Sequence, residues 1–232
     1  MTERHDEPLV LLPGMGCSAA LWSRLELDDE PITPMLEESD LEAEVDRLLD
    51  LLPTRFALAG LSLGAVVALA LVRRAPDRVS RLCLMSVNPY APTPGQCRAW
   101  AGQRRRLASG SARGIQLDLL PELLSPQVIA KQPDLVELTL AMAETIGDER
   151  FDRQLQLQAT RVDERPTLPL IHCPTLVLAA RGDRLCPVSR HAELARLIPG
   201  AELVVLDACA HLSPLEQPVA VSAPLRRWLA RA

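Results

Sequence analysis

Ser62 is the centre of Gly60-Leu61-Ser62-Leu63-Gly64, a G-x-S-x-G pattern between an apolar run that reads as a strand, Phe56 to Leu61, and one that reads as a helix, Ala65 to Arg74. In that setting the spacing has a mechanical meaning. The serine sits on a sharp strand-to-helix turn, and the two glycines remove side chains that would collide with the neighbouring strand and helix. The hydroxyl is thereby presented at the mouth of a sheet, where backbone N–H groups of the helix opening face a developing anion. The competing reading is an ordinary glycine-containing bend beside a packed helix.

A serine hydroxyl is a poor nucleophile without a base. Four histidines are available, His5, His172, His191 and His211. His5 lies in a charged N-terminal stretch, His172 at the entry to a strand, and His191 within a helical pattern, where a solvated or capping role is expected. His211 follows the last strand in Asp207-Ala208-Cys209-Ala210-His211. That places it at the C-terminal edge of a parallel sheet, where Ser62 should emerge. It is the expected base, against the alternative of a buried structural histidine. The base needs an acid to hold its tautomer, and Arg181-Gly182-Asp183 follows a strand at the same edge. Asp183 is the expected acid; a plain Gly-Asp turn is the alternative, and Asp207 is a rival that more simply ends a strand. The turn Pro13-Gly14-Met15-Gly16 after the first strand is expected to supply an oxyanion hole, from the backbone N–H groups of Met15 and Leu63.

The elements that must position these groups alternate. Short continuous apolar runs at Pro8–Leu12, Phe56–Leu61, Val79–Val87, Pro174–Ala180 and Ala201–Leu206 read as buried parallel strands. Pro31–Leu36 is a weaker one, demoted toward an edge by Pro34. Helical patterns lie between them, including Leu41–Leu52 behind a Ser39/Glu42 capping-box spacing and His191–Ile198. This is the rhythm of an α/β fold, a mostly parallel, doubly wound sheet of about six core strands. Between Pro92 and Pro169 the rhythm breaks into helical patterns alone, so residues 92–169 are read as a helical lid insertion and 1–91 with 170–232 as the core.

These residues together resemble the α/β-hydrolase superfamily, in particular its small lidded esterase-like members. The resemblance runs over nearly the whole chain: LLPGMG near the start, FALAGLSLG at the turn, RGD after the penultimate strand, and AHLSPLEQP at the end, similar to the family's G-H-x-x-x-x-E-x-P. Three departures stand out. Pro13 replaces the histidine that commonly precedes the oxyanion glycine, Ala210 replaces the glycine that commonly precedes the histidine, and the opening antiparallel strands are missing. Glu216, on the match, is expected to be structural.

The resemblance implies a serine hydrolase that cleaves a small ester or thioester through an acyl-enzyme, with Ser62, Asp183 and His211 as its triad and no metal or organic cofactor. The same triad serves C–C hydrolases, lyases and acyltransferases, and a catalytically silent ligand-binding descendant is a further alternative. Gly14-Met15-Gly16-Cys17-Ser18-Ala19 also imitates a dinucleotide fingerprint, a reading that leaves the triad unexplained. Arg104-Arg105-Arg106 raises an acyl carrier protein or a coenzyme A conjugate as partner, against the simpler reading of a solvated helix face.

Composition narrows the classes further. A net charge of −5 with only three Trp, two Phe and one Tyr excludes a general electrostatic and stacking grip on nucleic acid. No pair of the six cysteines has CxxC spacing, and the N-terminus lacks the pattern of an export signal. The expectation is a cytoplasmic protein with reduced thiols and no membrane span. Cys17, Cys186 and Cys209, each close to a proposed site residue, are expected to be small packing groups.

Overall fold

The computed structural model describes residues 7–230. Five strands, β1 (Leu9–Leu12), β2 (Phe56–Leu61), β3 (Val79–Met85), β4 (Thr175–Ala180) and β5 (Glu202–Leu206), form one sheet. All are parallel and lie side by side in chain order. The helices are α1 (Leu41–Leu51), α2 (Leu63–Arg74), α3 (Pro94–Leu107), α4 (Ala112–Leu123), α5 (Pro126–Lys131), α6 (Pro133–Ile146), α7 (Asp148–Ala159), α8 (Val188–Leu197), α9 (Ser213–Glu216) and α10 (Pro218–Leu229).

The expected six strands become five. The Pro31–Leu36 segment contributes a single parallel bridge, Val10 to Ile32, outside β1. Ile32 donates its N–H to the Leu9 carbonyl at 2.8 Å and accepts from Leu11 N–H at 2.9 Å. Pro31 and Pro34 on either side have no N–H to give, so the pairing cannot extend through them.

Side-chain alternation along the strands divides the core in two. Val10, Leu12, Phe56, Leu58, Leu82, Leu84 and Val177 face α1, α2 and α8. Leu9, Leu11, Ala57, Ala59, Leu61, Met85, Leu176 and Leu178 face α10, the 3₁₀ turn Ala19–Trp22 and the inner sides of α4 to α6. Both faces are covered, which is why β1 to β4 are buried at every position and read as unbroken apolar runs. The uncharged stretch Phe56–Val72 is β2 followed by α2, whose residues from Leu63 to Val72 are all buried. No helix among the described residues is long and apolar enough to cross a membrane.

Local chemistry corrects two details. The N-cap of α1 is Asp40, whose carboxylate accepts from Glu42 and Ala43 N–H; Ser39 does not cap, and Glu42 turns instead to Arg73. His191 is not solvated: it is fully buried on α8, one and two turns before Leu194 and Ile198 on the same face. Between β3 and β4 the chain forms only helices, α3 to α7, and these pack a third apolar cluster of their own around Phe151, Leu155 and Ile115.

Candidate active site

The register sets the stage. Leu12 pairs with Gly60, Leu61 with Met85, Met85 with Leu178, and Ala180 with Leu206, so all five strands end along one edge. The segments leaving that edge carry Gly14–Gly16, Ser62, Ser86, Asp183 and His211. His172 precedes β4 at the opposite edge and is exposed, and His5 lies outside the described residues.

Ser62 has φ 56° and ψ −115°, a backbone conformation that an L-residue adopts only when its surroundings impose it. The surroundings do so by close approach. A Cβ at Gly60 would strike the backbone of Gly64, and one at Gly64 would strike the Leu12 carbonyl at the end of β1. The turn is closed by Ala65 and Val66 N–H on the Ser62 carbonyl, both 3.0 Å, and by Ser62 N–H on the Met85 carbonyl at 2.9 Å. Ser62 is half-buried at this edge. Leu63 opens α2, so no carbonyl of the helix accepts its N–H. Cys17 N–H closes a turn onto the Gly14 carbonyl at 3.1 Å, leaving Met15 near the tip. A Cβ on Gly14 would lie 3.4 Å from that of Ser62, so this turn and the serine are in contact.

Asp183 and His211 form a buried pair, with Oδ2 and Nδ1 2.9 Å apart and only 4% and 3% of the two residues exposed. The other carboxylate oxygen accepts from Leu185 and Cys186 N–H, both at 2.9 Å. Burial raises the Asp183 pKa, but the facing His211 and the hydrogen bond from Cys186 N–H outweigh it and hold the carboxyl below its ordinary value. An ionised carboxylate only accepts, so Nδ1 carries the proton of that bond. The two loops meet tightly: Gly182 N–H donates to the Cys209 carbonyl at 3.0 Å, and a Cβ on Gly182 would lie 2.7 Å from that oxygen. Asp207, the rival acid, points away to an exposed pair with Arg181 at 2.7 Å. Ala210 is accommodated in place of glycine because the left-handed residue of this loop is Ala208, φ 55°.

Ser86, Gln116 and Gln154, which sequence reasoning passed over, hold this edge together with Glu216, which it expected to be structural. β3 ends at Met85, and Ser86, buried with φ 49°, donates its Oγ–H to the His211 carbonyl at 3.0 Å. Val87 N–H donates to His191 Nε2 at 3.0 Å, clamping the strained residue from its other side. Glu216 ends α9, and its carboxylate accepts from Ala210 N–H at 3.0 Å and from Ser125 N–H. Gly16 N–H donates to Gln154 Oε1 on α7 at 3.0 Å, and the Gly16 carbonyl accepts from Gln116 Nε2 on α4. The fingerprint-like Gly14–Ala19 leads only into the short Ala19–Trp22 turn, which lacks the helix dipole and length that hold a pyrophosphate.

Asp183, Cys186 and His211 offer ligand-type atoms within 4.8 Å of one another. Burial pushes the Cys186 thiol well above its ordinary pKa, so the sulfur is a neutral S–H. Burial likewise pushes Cys17 and Cys209 up to about 12, in keeping with packing roles. Two arginines of the triplet are neutralised within the helical segment, Arg104 by Asp152 at 2.7 Å and Arg106 by Asp118.

Known proteins share this frame. The chain is 30% identical over 235 residues to the pimeloyl-(acyl-carrier protein) methyl ester esterase of Aromatoleum aromaticum, covering 90% of this chain and 93% of that one. A thermophilic esterase from Thermogutta terrifontis, solved with malate bound, superposes with a TM-score of 0.90 at 28% identity, over 97% of this chain and 89% of that one. The enol-lactonase of Burkholderia xenovorans LB400 shares the fold with a TM-score of 0.85 at 21% identity, over 99% and 94% of the two chains. Residues 9–223 match the alpha/beta hydrolase family, and the chain belongs to it.

Proposed function

We propose that this protein is a serine hydrolase that cleaves a small ester or thioester through an acyl-enzyme, with Ser62 as nucleophile, His211 as base and Asp183 as the acid that orients it. The observation that carries the reading is the buried 2.9 Å contact between Asp183 and His211 Nδ1, which leaves Nε2 as a lone pair at the edge where the strained Ser62 emerges. In the proposed reaction His211 Nε2 takes the Ser62 proton as Oγ attacks the carbonyl. The Met15 and Leu63 amides receive the oxyanion, and the imidazolium, stabilised by Asp183, gives its proton to the leaving alkoxide or thiolate. Water then attacks the acyl-enzyme with His211 again as base. Residues 92–169 are proposed as the lid that shapes the pocket over this edge. Esterases among the relatives favour ester hydrolysis over the C–C hydrolase, lyase and acyltransferase chemistries of the same triad.

A fluorophosphonate should label the protein at Ser62. Ser62→Ala should abolish labelling and lower kcat/KM for a short p-nitrophenyl ester by at least about a thousandfold. Labelling that persists in the variant, as read by peptide mass, would reject the assignment.

A further inference from the structure

Arg161 is an electrostatic anomaly. It lies in the loop that follows α7, and its Nε and Nη2 are buried without a hydrogen-bond partner among the described residues. Other shielded arginines are satisfied. Arg73 meets Glu42 and Glu164, Arg78 meets the carbonyls of Leu49, Leu52, Pro53 and Thr54, and Arg153 meets Glu37. Leaving that Nε/Nη2 edge of a half-buried arginine shielded and unpaired is costly, because it loses its hydration and gains nothing in return.

Its neighbours explain where it points. The guanidinium carbon lies 5.3 Å over the Trp100 ring of α3, so one face of the cation is stacked. Burial lowers its pKa, and the Cys186 and Cys97 sulfurs are among the groups around it. Neither thiol is a strong acceptor. Cys186 in turn has its sulfur within 4.8 Å of the ligand-type atoms of Asp183 and His211. Arg161 is therefore held between the helical segment and the loop that carries the acid of the proposed triad. Nε and Nη2 form the side-on fork of a guanidinium, whose two parallel N–H bonds match the two oxygens of one carboxylate.

We propose that Arg161 is a substrate anchor: its Nε/Nη2 fork binds a carboxylate carried by the substrate away from the scissile ester, so the preferred substrates are anionic half-esters. This rests on the serine-hydrolase reading for the reaction, while the anchor itself is a binding site. The stacked Trp100 fixes the plane of the cation, and the carboxylate supplies the acceptors that the thiols do not. The energetic cost of keeping the charge unpaired is recovered only when an anion arrives.

The test compares wild type with Arg161→Met and Arg161→Lys. Binding of succinate, glutarate, adipate and inorganic phosphate is measured by calorimetry. Turnover is measured on p-nitrophenyl half-esters of the same diacids and on chain-matched neutral esters. Wild type should bind at least one dicarboxylate more tightly than phosphate, and Arg161→Met should lose that binding. KM for the matching half-ester should rise by about ten- to hundredfold, while the neutral ester changes by less than about twofold. Arg161→Lys keeps the charge without the fork and should recover only part of the binding. Tm of Arg161→Met should equal or exceed that of wild type, since an unpaired charge has been removed.

Dicarboxylate binding unchanged in Arg161→Met, with or without a fall in Tm, would overturn the anchor, as would a wild type that binds phosphate but no dicarboxylate. Failure of the serine-hydrolase reading looks different: dicarboxylate binding would remain dependent on Arg161 while Ser62 escaped fluorophosphonate labelling.

Discussion

Ser86 shows how much of this site depends on residues that do not react. Its hydroxyl ties the His211 backbone to the end of β3, and its left-handed backbone is held by Val87 and His191. Ser62 N–H bonds Met85, the residue just before it, so one short stretch of β3 references both the proposed nucleophile and the proposed base. Ser86→Ala should therefore lower kcat by about tenfold with KM nearly unchanged, since a misplaced base affects the transition state and not ground-state binding. Ser86→Asn tolerates positive φ and offers a donor, so it should recover part of the loss. A variant that lost stability without this kcat-against-KM split would show that Ser86 is only a packing residue. Nothing in VSRLCLMSV distinguishes Ser86 from Ser80, because the signal is a backbone angle and a contact with a loop far along the chain. The placement of Ser62, Asp183 and His211 at one sheet edge was legible for the opposite reason. Each combines a distinctive residue type with a position just after an apolar run.

At the scale of elements, α8 and the chain after β3 are joined by His191, and that joint titrates. Burial lowers the His191 pKa below the ordinary 6.5 by desolvating the charged form, and Nε2 accepts from Val87 N–H only while it is unprotonated. The unfolded chain then takes up a proton near pH 6.5 that the folded chain refuses. Its contribution is fully present above that pH and is lost as pH falls from there toward the folded-state value. Urea denaturation of wild type should show stability falling through this window, and His191→Gln should flatten that part of the profile. The α8 pattern contained the clue, since His191, Leu194 and Ile198 recur on one helical face with the other two apolar. Strand and helix positions were readable because a sheet covered on both faces leaves unbroken apolar runs. The cap of α1 was not, because Ser39 and Asp40 are both good caps and the pairing of Glu42 with Arg73, in place of the reciprocal bond, lies outside local sequence.

For the whole molecule, the helical segment does more than cover the sheet edge. Gln154 and Gln116 reach from α7 and α4 to hold Gly16 N–H and carbonyl, and Leu212 N–H donates to the Leu123 carbonyl at 3.0 Å. The segment thus grips the Gly14–Gly16 turn, the proposed oxyanion hole, on one side and the His211 loop on the other. Gln154→Leu should preserve the fold, because Gln154 is enclosed by α7 packing, yet lower kcat by about five- to fiftyfold through a displaced Met15 amide. Thermal melting and short-ester kinetics would separate the two effects; a variant with unchanged kcat would show that the turn holds itself. Sequence reasoning expected a helical segment over residues 92–169 but not this grip, since two glutamines in a helix have no signature until the turn they serve lies beside them.

The buried glutamines have a consequence for descent and for engineering. A segment that supplies both partners of Gly16 is not an interchangeable module. Hybrids that exchange residues 92–169, the proposed lid, between members of the family should inherit new substrate preferences. They keep their rate only when the donor segment brings amides to positions 116 and 154, or when the first-strand turn is exchanged with it.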